Sequence, residues 1–282
     1  MTEQLITYEL DGAVARIGLN RPAKRNALSD QLTMELEQAV ARAEKEARVG
    51  LLFSTGDHFC AGLDLAEAAG WINEHDQHLD KRVGSAAIGR PYDFVSRGRI
   101  PFVAAVSGAC IGGGLELAAC CQIRVGDETT FFALPEGQRG IYIGGGGSVR
   151  VARLMGVARM SDLMLTGRVL TAEEGERFNL LQYMVPKGQH LARAASLAHR
   201  IAENAPLTNW AIVHGLPRIQ DYSYDDGLFV EGLFSHIVAS PESTTRLNDF
   251  VAGRARRLVQ PGKSGDQHDQ DGPASGPSTH SK

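Results

Sequence analysis

The 282-residue sequence has no apolar run of the roughly 18 residues that a membrane-spanning helix needs. Its first residues also lack the basic start and apolar stretch of a secretory signal peptide. We therefore expect a cytoplasmic protein that is neither exported nor membrane-spanning. The four cysteines include no C-x-x-C pair and lie in apolar segments, which predicts buried free thiols in a reducing compartment.

Positive charge is also scarce, because 29 basic residues face 33 acidic ones and the net charge is -4. A mildly acidic chain is poorly suited to neutralising phosphate backbones, so nucleic acid is not the expected main partner. The glycine-rich segments contain no G-x-x-x-x-G-K-[ST] phosphate loop. The nine histidines show no H-x-x-x-H spacing, and we predict no metal.

Strand and helix patterns alternate along the chain. Residues 8–19 alternate in polarity around Asp11-Gly12, which predicts a β-hairpin. Ser29 can cap a helix that runs to about Ala47, and the apolar run 49–53 predicts a buried strand. The order recurs as a strand at 102–106, a helix at 115–120, and strands at 121–125 and 130–132. This alternation predicts an α/β fold.

Later segments have a more helical pattern. We expect a long helical excursion at 68–98, a helix over 151–178, a strand over 180–185, and helices over 189–258 with breaks at Pro206, Pro217 and Pro241. From Gln260 onward no apolar residue is larger than alanine or proline, so burial cannot offset ordering entropy. The predicted organisation is a core at 1–198, a helical C-terminal region at 199–258 and a disordered tail at 259–282.

Three glycine-bearing segments are candidates for chemistry. In residues 58–65, Gly62 permits close backbone approach where free N–H groups gather at a predicted helix start. Asp64 and Glu67 are spaced like a capping box, so a well-capped helix without chemistry is the alternative.

The second segment, 107–117, has three consecutive glycines between a strand and a helix. The N–H of Gly113 would lie at the positive end of that helix, where it can stabilise an oxyanion. Glu116 falls in the first turn, where the helix dipole favours an acidic residue even without a catalytic role. The third segment, 134–147, carries Glu136 and a run of four glycines that ends at Gly147.

Together these motifs resemble the crotonase (enoyl-CoA hydratase/isomerase) superfamily from about residue 8 to residue 257. The matching stretches are Leu19-Asn20-Arg21-Pro22 with Asn26-Ala27, the segments 59–65 and 108–117, Pro135-Glu136, and Leu165-Thr166-Gly167-Arg168 with Ala172-Glu173-Glu174. The resemblance implies a spiral of ββα units and a C-terminal helical region that builds trimers or dimers of trimers.

The resemblance also implies site roles. The N–H groups of Leu63 and Gly113 form the oxyanion hole, while Glu136 donates a proton and Glu116, 20 residues earlier, holds and activates water. The expected substrate-binding residues are Ala61, Gly62, Asp64, Gly112, Tyr142 and Gly144. The expected coenzyme A contacts are Lys24, Arg25, Ala27, Phe234 and Arg254. Coenzyme A belongs to the substrate, so no cofactor is expected.

By the resemblance, the position of Gly144 is the one at which dienoyl-CoA isomerases and the chlorobenzoyl-CoA dehalogenase carry an aspartate. Because this chain has no carboxylate there, both activities are disfavoured. The glutamate pair favours an enoyl-CoA hydratase that adds water syn to a 2-enoyl-CoA, in fatty or aromatic acid breakdown. Hydratases of the family usually carry a proline where this chain has Ile143, and often carry lysines where it has Ala66 and Gly253. These differences leave the identity of the preferred acyl chain open. The alternatives are an enoyl-CoA isomerase, a hydroxycinnamoyl-CoA hydratase-lyase, or a non-catalytic CoA- or RNA-binding member.

Overall fold

The chain begins with the predicted hairpin, in a computed structural model that describes residues 4–74 and 86–255. Gly12 has a φ of 59°, which suits the tight turn between the two strands. The strands of the described residues are β1 (Ile6–Asp11), β2 (Val14–Leu19), β3 (Val49–Ser54), β4 (Phe102–Val106), β5 (Ala109–Ile111), β6 (Ile123–Asp127), β7 (Phe131–Ala133), β8 (Val169–Leu170) and β9 (Tyr183–Val185).

The helices follow the strands closely, with 3-10 turns at Pro22–Lys24 and Gly137–Arg139. In chain order the described helices are α1 (Asp30–Glu46), α2 (Leu65–Glu74), α3 (Ala86–Arg97), α4 (Gly113–Ala118), α5 (Gly147–Met155), α6 (Val157–Thr166), α7 (Ala172–Arg177), α8 (His190–Ala202), α9 (Pro206–Ile219), α10 (Tyr224–Val238) and α11 (Pro241–Val251). Within the described residues, no helix is both long and apolar enough to cross a membrane.

A six-stranded sheet of order β1-β2-β3-β4-β6-β9 forms the main layer. Only the hairpin pair is antiparallel, and the other pairs run parallel. Helix α1 begins at its cap Ser29, whose hydroxyl accepts the N–H of Leu32, and its buried stripe packs into the larger core. Helix α8 joins a second apolar cluster through Ala194, Leu197 and Ala198 together with residues of the main sheet.

A second sheet of order β5-β7-β8 carries the elements that lead to the site. Strands β5 and β7 pair in parallel, and each lies just after a strand of the main sheet, so successive turns of the chain add one strand to each layer. Isolated parallel bridges join Leu28 to Leu63 and Cys60 to Cys110. This layering confirms the predicted α/β spiral, and all four cysteines are free and buried as expected.

Several predicted boundaries need correction. Helix α4 spans Gly113–Ala118 rather than 115–120, and β6 begins at Ile123. The predicted helix at 151–178 is interrupted at Gly156, whose φ is 85°, and again by β8. Pro206 and Pro241 begin helices, where a missing N–H costs nothing, and Pro217 lies inside the last turn of α9.

The predicted domain boundary after residue 198 falls inside α8, which packs against the main sheet. The predicted division at residue 198 stays a prediction, and the contacts group the chain into the units Met1–Phe234 and Ser235–Lys282. Of the predicted excursion at 68–98, α2 and α3 are helical, and residues 75–85 lie outside the described residues. The predicted disordered tail at 259–282 also lies outside them.

The buried side chain of Asn26 connects two loops by hydrogen bonds. Its Oδ1 accepts the N–H of Arg21 at 2.7 Å, and its Nδ2 donates to the carbonyls of Thr55 at 3.0 Å and His58 at 2.8 Å. Its φ of 55° is a left-handed conformation that asparagine tolerates better than alanine. The loop after β2 is thereby fixed against the loop after β3.

We expect Asn26→Ala to lower the free energy of unfolding by about 2–4 kcal/mol, because three buried hydrogen bonds lose their partner. Urea unfolding measures the loss. Asn248→Ala, on an exposed face of α11, is the matched control and should change stability by less than about 0.5 kcal/mol. Equal effects of the two substitutions would contradict this role for Asn26.

Candidate active site

A cavity of about 170 Å³ collects most of the predicted site residues. Its walls come from the segments 61–65, 111–116 and 136–145, together with Leu28. Nine of the predicted residues line it: Ala61, Gly62, Leu63, Gly112, Gly113, Glu116, Glu136, Tyr142 and Gly144. The three glycine-bearing segments of the sequence therefore meet at one place.

Two backbone amides at this cavity have no acceptor. The bridge between Leu28 and Leu63 uses the carbonyl of Gly62 and the N–H of Asp64, so the N–H of Leu63 faces away from it. Gly113 begins α4, so its N–H has no carbonyl in the preceding turn. Within residues 4–74 and 86–255, neither N–H donates a hydrogen bond.

The close approach of these segments requires glycine at position 62. Its φ is +88°, and a Cβ there would lie 2.8 Å from the carbonyl oxygen of Ile111 and 3.5 Å from the nitrogen of Gly113. A Cβ built on Gly113 would in turn lie 3.9 Å from the nitrogen of Leu63. The two free amides are therefore neighbours, and a single carbonyl oxygen can reach both.

Glu116 is held by the glycine run. It is 3 % exposed, and its Oε1 accepts the N–H groups of Gly145 and Gly147, each at 2.8 Å. Burial raises the pKa of this carboxyl, and the backbone N–H groups of the glycine run and the charge of Arg150 oppose that rise. Burial is the larger effect, so the pKa of Glu116 is raised, and the donors aimed at its Oε1 limit that rise.

Glu136 has a different environment. It is 7 % exposed, and its Oε2 is buried without a hydrogen-bond partner among the described residues. Burial raises its pKa, and the nearby charge of Glu116 raises it further, while its own backbone N–H and Arg139 lower it. An unpartnered carboxyl oxygen beside a second carboxyl favours the protonated form of Glu136.

The buried side chain of Tyr92, on α3, links the two parts of the site. Its hydroxyl donates to the carbonyl of Gly113 at 2.7 Å, and its ring packs where a Cβ on Gly145 would otherwise lie. Arg150 donates to the carbonyl of Gly145 at 2.6 Å and pairs with Asp93 of α3 at 2.8 Å. The segment around Gly113 and the glycine run at 144–147 are therefore both fixed to α3.

Comparison with known proteins agrees with this geometry. The family model for enoyl-CoA hydratase/isomerase matches residues 9–217. The chain belongs to the enoyl-CoA hydratase/isomerase family. It is 36% identical to enoyl-CoA hydratase EchA19 of Mycobacterium tuberculosis, over 74% of this chain and 78% of that relative.

Two further relatives of the family cover most of the chain. The 2,3-dehydroadipyl-CoA hydratase of Escherichia coli is 31% identical over 86% of this chain and 93% of its own length. The crystal structure of enoyl-CoA hydratase from Bacillus anthracis superposes with a TM-score of 0.81 at 29% identity, over 89% of this chain and 97% of that one. The predicted crotonase fold is confirmed.

Some predicted residues lie away from the cavity. The carboxylate of Asp64 pairs with Arg21 at 2.7 Å and does not line the cavity, and its predicted substrate contact stays a prediction. The capping box is also incomplete, because Glu67 accepts the N–H of Asp30. His58 accepts the N–H of Ala109, which gives it a role in loop structure.

The predicted coenzyme A contacts stay predictions. Lys24, Arg25 and Ala27 do not line the cavity, but the Arg25 carbonyl accepts the N–H of Ala61, which does. Phe234 packs near Trp210, with ring centroids 5.8 Å apart. Arg254, in the second unit, pairs with Asp249 at 2.7 Å.

Residue-level sequence reasoning missed Tyr92, Arg150 and Arg139. Tyr92 lies in the interrupted stretch 68–98, where nothing local indicates a contact with Gly113. Leu28, Leu65, Ile111 and Ile141 also line the cavity without having been predicted. Among the described residues, no group of three His, Cys, Asp or Glu side chains is placed to hold a metal ion.

We expect Glu136→Gln to stabilise the fold increasingly as pH rises from about 4.5, the ordinary pKa of a glutamate, toward neutrality. Because the folded pKa is raised, the unfolded chain ionises first and wild-type stability falls through that window, while glutamine cannot ionise. Urea unfolding at several pH values measures the difference. Glu176→Gln, at an exposed position, is the control. A difference between Glu136→Gln and wild type that does not change with pH would contradict the raised pKa.

Proposed function

We propose that the protein is an enoyl-CoA hydratase that adds water across the C2=C3 bond of a 2-enoyl-CoA. The observation that carries the proposal is the pair of free amides, at Leu63 and Gly113, beside two buried carboxyls in one cavity. Family members at 31% and 36% identity are named as hydratases, which supports the same reaction here.

The amides stabilise charge on the thioester oxygen. As water attacks C3, the π electrons of C2=C3 move toward C1 and the carbonyl oxygen becomes an enolate oxygen. Two N–H donors aimed at that oxygen lower the barrier, and losing one such donor typically costs about 3 kcal/mol. No metal or organic cofactor takes part in these proton transfers.

The two carboxyls divide the proton transfers. Glu116, whose ionised form is favoured by the N–H groups of Gly145 and Gly147, accepts the proton of the attacking water. Glu136, whose Oε2 is unpartnered, starts protonated and delivers its proton to C2. Both carboxyls border the same cavity, which supports syn addition.

The rest of the substrate lies toward the loop at 24–27. Ala61 donates its N–H to the carbonyl of Arg25 in this loop and also lines the cavity. This contact supports Lys24, Arg25 and Ala27 as coenzyme A contacts. Phe234 and Arg254 complete the proposed nucleotide contacts. We assign the reaction to fatty or aromatic acid breakdown in the cytoplasm, in either the hydration or the dehydration direction.

We expect Glu116→Gln and Glu136→Gln each to lower kcat for crotonyl-CoA by about 100-fold or more, because each removes one proton transfer. Loss of the enoyl absorbance measures the rate. Glu176→Gln should hydrate at the wild-type rate. Full activity of either active-site variant on every accepted thioester would rule out the two-carboxyl mechanism.

Product mass separates this reaction from its relatives in the same experiment. A hydratase product gains one water, an isomerase product keeps the substrate mass, and a hydratase-lyase releases an aldehyde. A mass gain of one water supports the proposal. Either other result would replace it.

Exposed apolar side chains support a homotrimer or a dimer of trimers. Helices α9 and α10 carry them within the first unit: Leu207, Ile212, Leu216, Leu228, Phe229 and Leu233. An exposed apolar set of this kind marks an interaction surface. A closed symmetric assembly would remove it from water.

Native mass spectrometry should therefore show three or six chains, each of 30.3 kDa. We expect Phe229→Arg to shift the distribution to the single chain, because a charge would then be buried in the interface. Arg200→Gln, at an exposed position on α8, should leave the assembly unchanged. A wild-type chain that stays single at micromolar concentration would contradict the proposed assembly.

A further inference from the structure

Two polar side chains of the cavity have no part in the hydration chemistry. Of the described residues that line it, four have polar side chains: Glu116, Glu136, Arg139 and Tyr142. The glutamates carry the proton transfers. Arg139 and Tyr142 follow Glu136 in the sequence, whereas the segments that carry the free amides precede it. The apolar residues Ile141 and Ile143 line the cavity as well.

The guanidinium of Arg139 is free to bind an anion. In the described residues it has no ion pair and donates no side-chain hydrogen bond, whereas Arg150 pairs with Asp93 and Arg168 with Asp162 and Glu174. Arg139 is also the one cation among the described residues that line the cavity. The cavity therefore has one guanidinium near its apolar wall, and that guanidinium forms no ion pair among the described residues.

Arg139 also lies close to the reacting groups. It closes the 3-10 turn that begins after Glu136, and its backbone N–H donates to the Glu136 carbonyl at 3.0 Å. Its positive charge acts on the Glu136 carboxyl. A ligand group at Arg139 is thus within the reach of a short acyl chain whose C2 lies at Glu136.

The chemistry of this wall selects the end of the acyl chain. An alkyl chain packed over Arg139 would remove water from a guanidinium and give it no partner, which is unfavourable. A carboxylate would accept paired, charge-assisted N–H bonds from the same group. Tyr142, which lines the same cavity and is 71 % exposed, has a phenol that can donate one more hydrogen bond.

We propose that Arg139, together with Tyr142 of the same cavity, is a subsite for a carboxylate at the far end of the acyl chain. The preferred substrates are then short 2-enoyl-CoA thioesters of dicarboxylic acids. This inference rests on the proposed hydratase function and adds the substrate class to it.

The test compares three thioesters on the full-length protein: hex-2-enedioyl-CoA, which ends in a carboxylate, hex-2-enoyl-CoA of equal carbon number, and crotonyl-CoA. We expect kcat/KM to be at least about tenfold higher for the dicarboxylic substrate than for hex-2-enoyl-CoA. Arg139→Gln should remove that preference, so that the ratio of kcat/KM for hex-2-enedioyl-CoA to kcat/KM for hex-2-enoyl-CoA falls by at least about tenfold. Arg200→Gln, which removes an exposed charge outside the cavity, should keep the wild-type pattern.

A second variant guards against a folding defect. Tyr142→Phe keeps the ring and removes only the hydroxyl, and it should lower the ratio of kcat/KM for the dicarboxylic substrate to kcat/KM for hex-2-enoyl-CoA by a few-fold. Wild-type protein that hydrates the neutral thioesters with no preference for the carboxylate would overturn the subsite while leaving the hydratase function intact.

Two other results would also overturn the inference. If Arg139→Gln raises KM for all three thioesters equally and weakens inhibition by free coenzyme A, the guanidinium contacts the coenzyme A moiety. If no thioester is hydrated by the wild-type protein, the hydratase function itself fails.

Discussion

Two backbone segments, 60–64 and 109–113, run side by side under the cavity, and their pairing stops just before the site. Cys60 donates to the carbonyl of Ala109 and accepts from Ile111, so the two segments are in parallel register up to that point. Beyond it Gly62 turns into the left-handed region, and the N–H groups of Leu63 and Gly113 have no acceptor within residues 4–74 and 86–255. A buried donor without a partner costs about 1–3 kcal/mol, so a fold rarely retains two neighbouring ones. A thioester oxygen at this position would satisfy both.

Backbone amides also determine how the environments of the two carboxyls differ. Gly145 and Gly147 direct their N–H groups at one oxygen of Glu116, while Glu136 receives no such donor at Oε2. The chemically identical side chains thereby have unequal environments: burial raises the pKa of both, backbone donors oppose the rise at Glu116, and the charge of Glu116 adds to the rise at Glu136. Tyr92 and Arg150 hold the segment around Gly113 and the glycine run at 144–147 in fixed positions relative to each other. Glu116, the glycine run and the segment around Gly113 are therefore held by one set of contacts.

The features that sequence predicted well are local ones. The turn at Gly12, the cap at Ser29 and the buried run of β3 depend on neighbouring residues, so their patterns are sufficient. The site residues needed the family resemblance as well, because Glu116 in a first helical turn has an ordinary structural explanation. The resemblance supplied the identities of Leu63 and Gly113, and the structure places both at the cavity.

What the sequence missed depends on contacts between distant residues. The expected capping box failed because Glu67 bonds to Asp30, 37 residues away. Tyr92 meets Gly113 from a separate helix, and no periodicity indicates that contact. The free guanidinium of Arg139 could not be predicted either, since the absence of partners is known only once the surrounding side chains are placed.

The vibrational frequency of the thioester carbonyl tests the paired amides most directly. Butyryl-CoA has no C2=C3 bond to hydrate, and a ¹³C label at its thioester carbonyl isolates that stretch by infrared difference spectroscopy. If the amides of Leu63 and Gly113 both donate to the oxygen, the stretch moves to lower wavenumber on binding than in water. An unchanged or higher wavenumber for the bound thioester would contradict the oxyanion hole on which the mechanism depends.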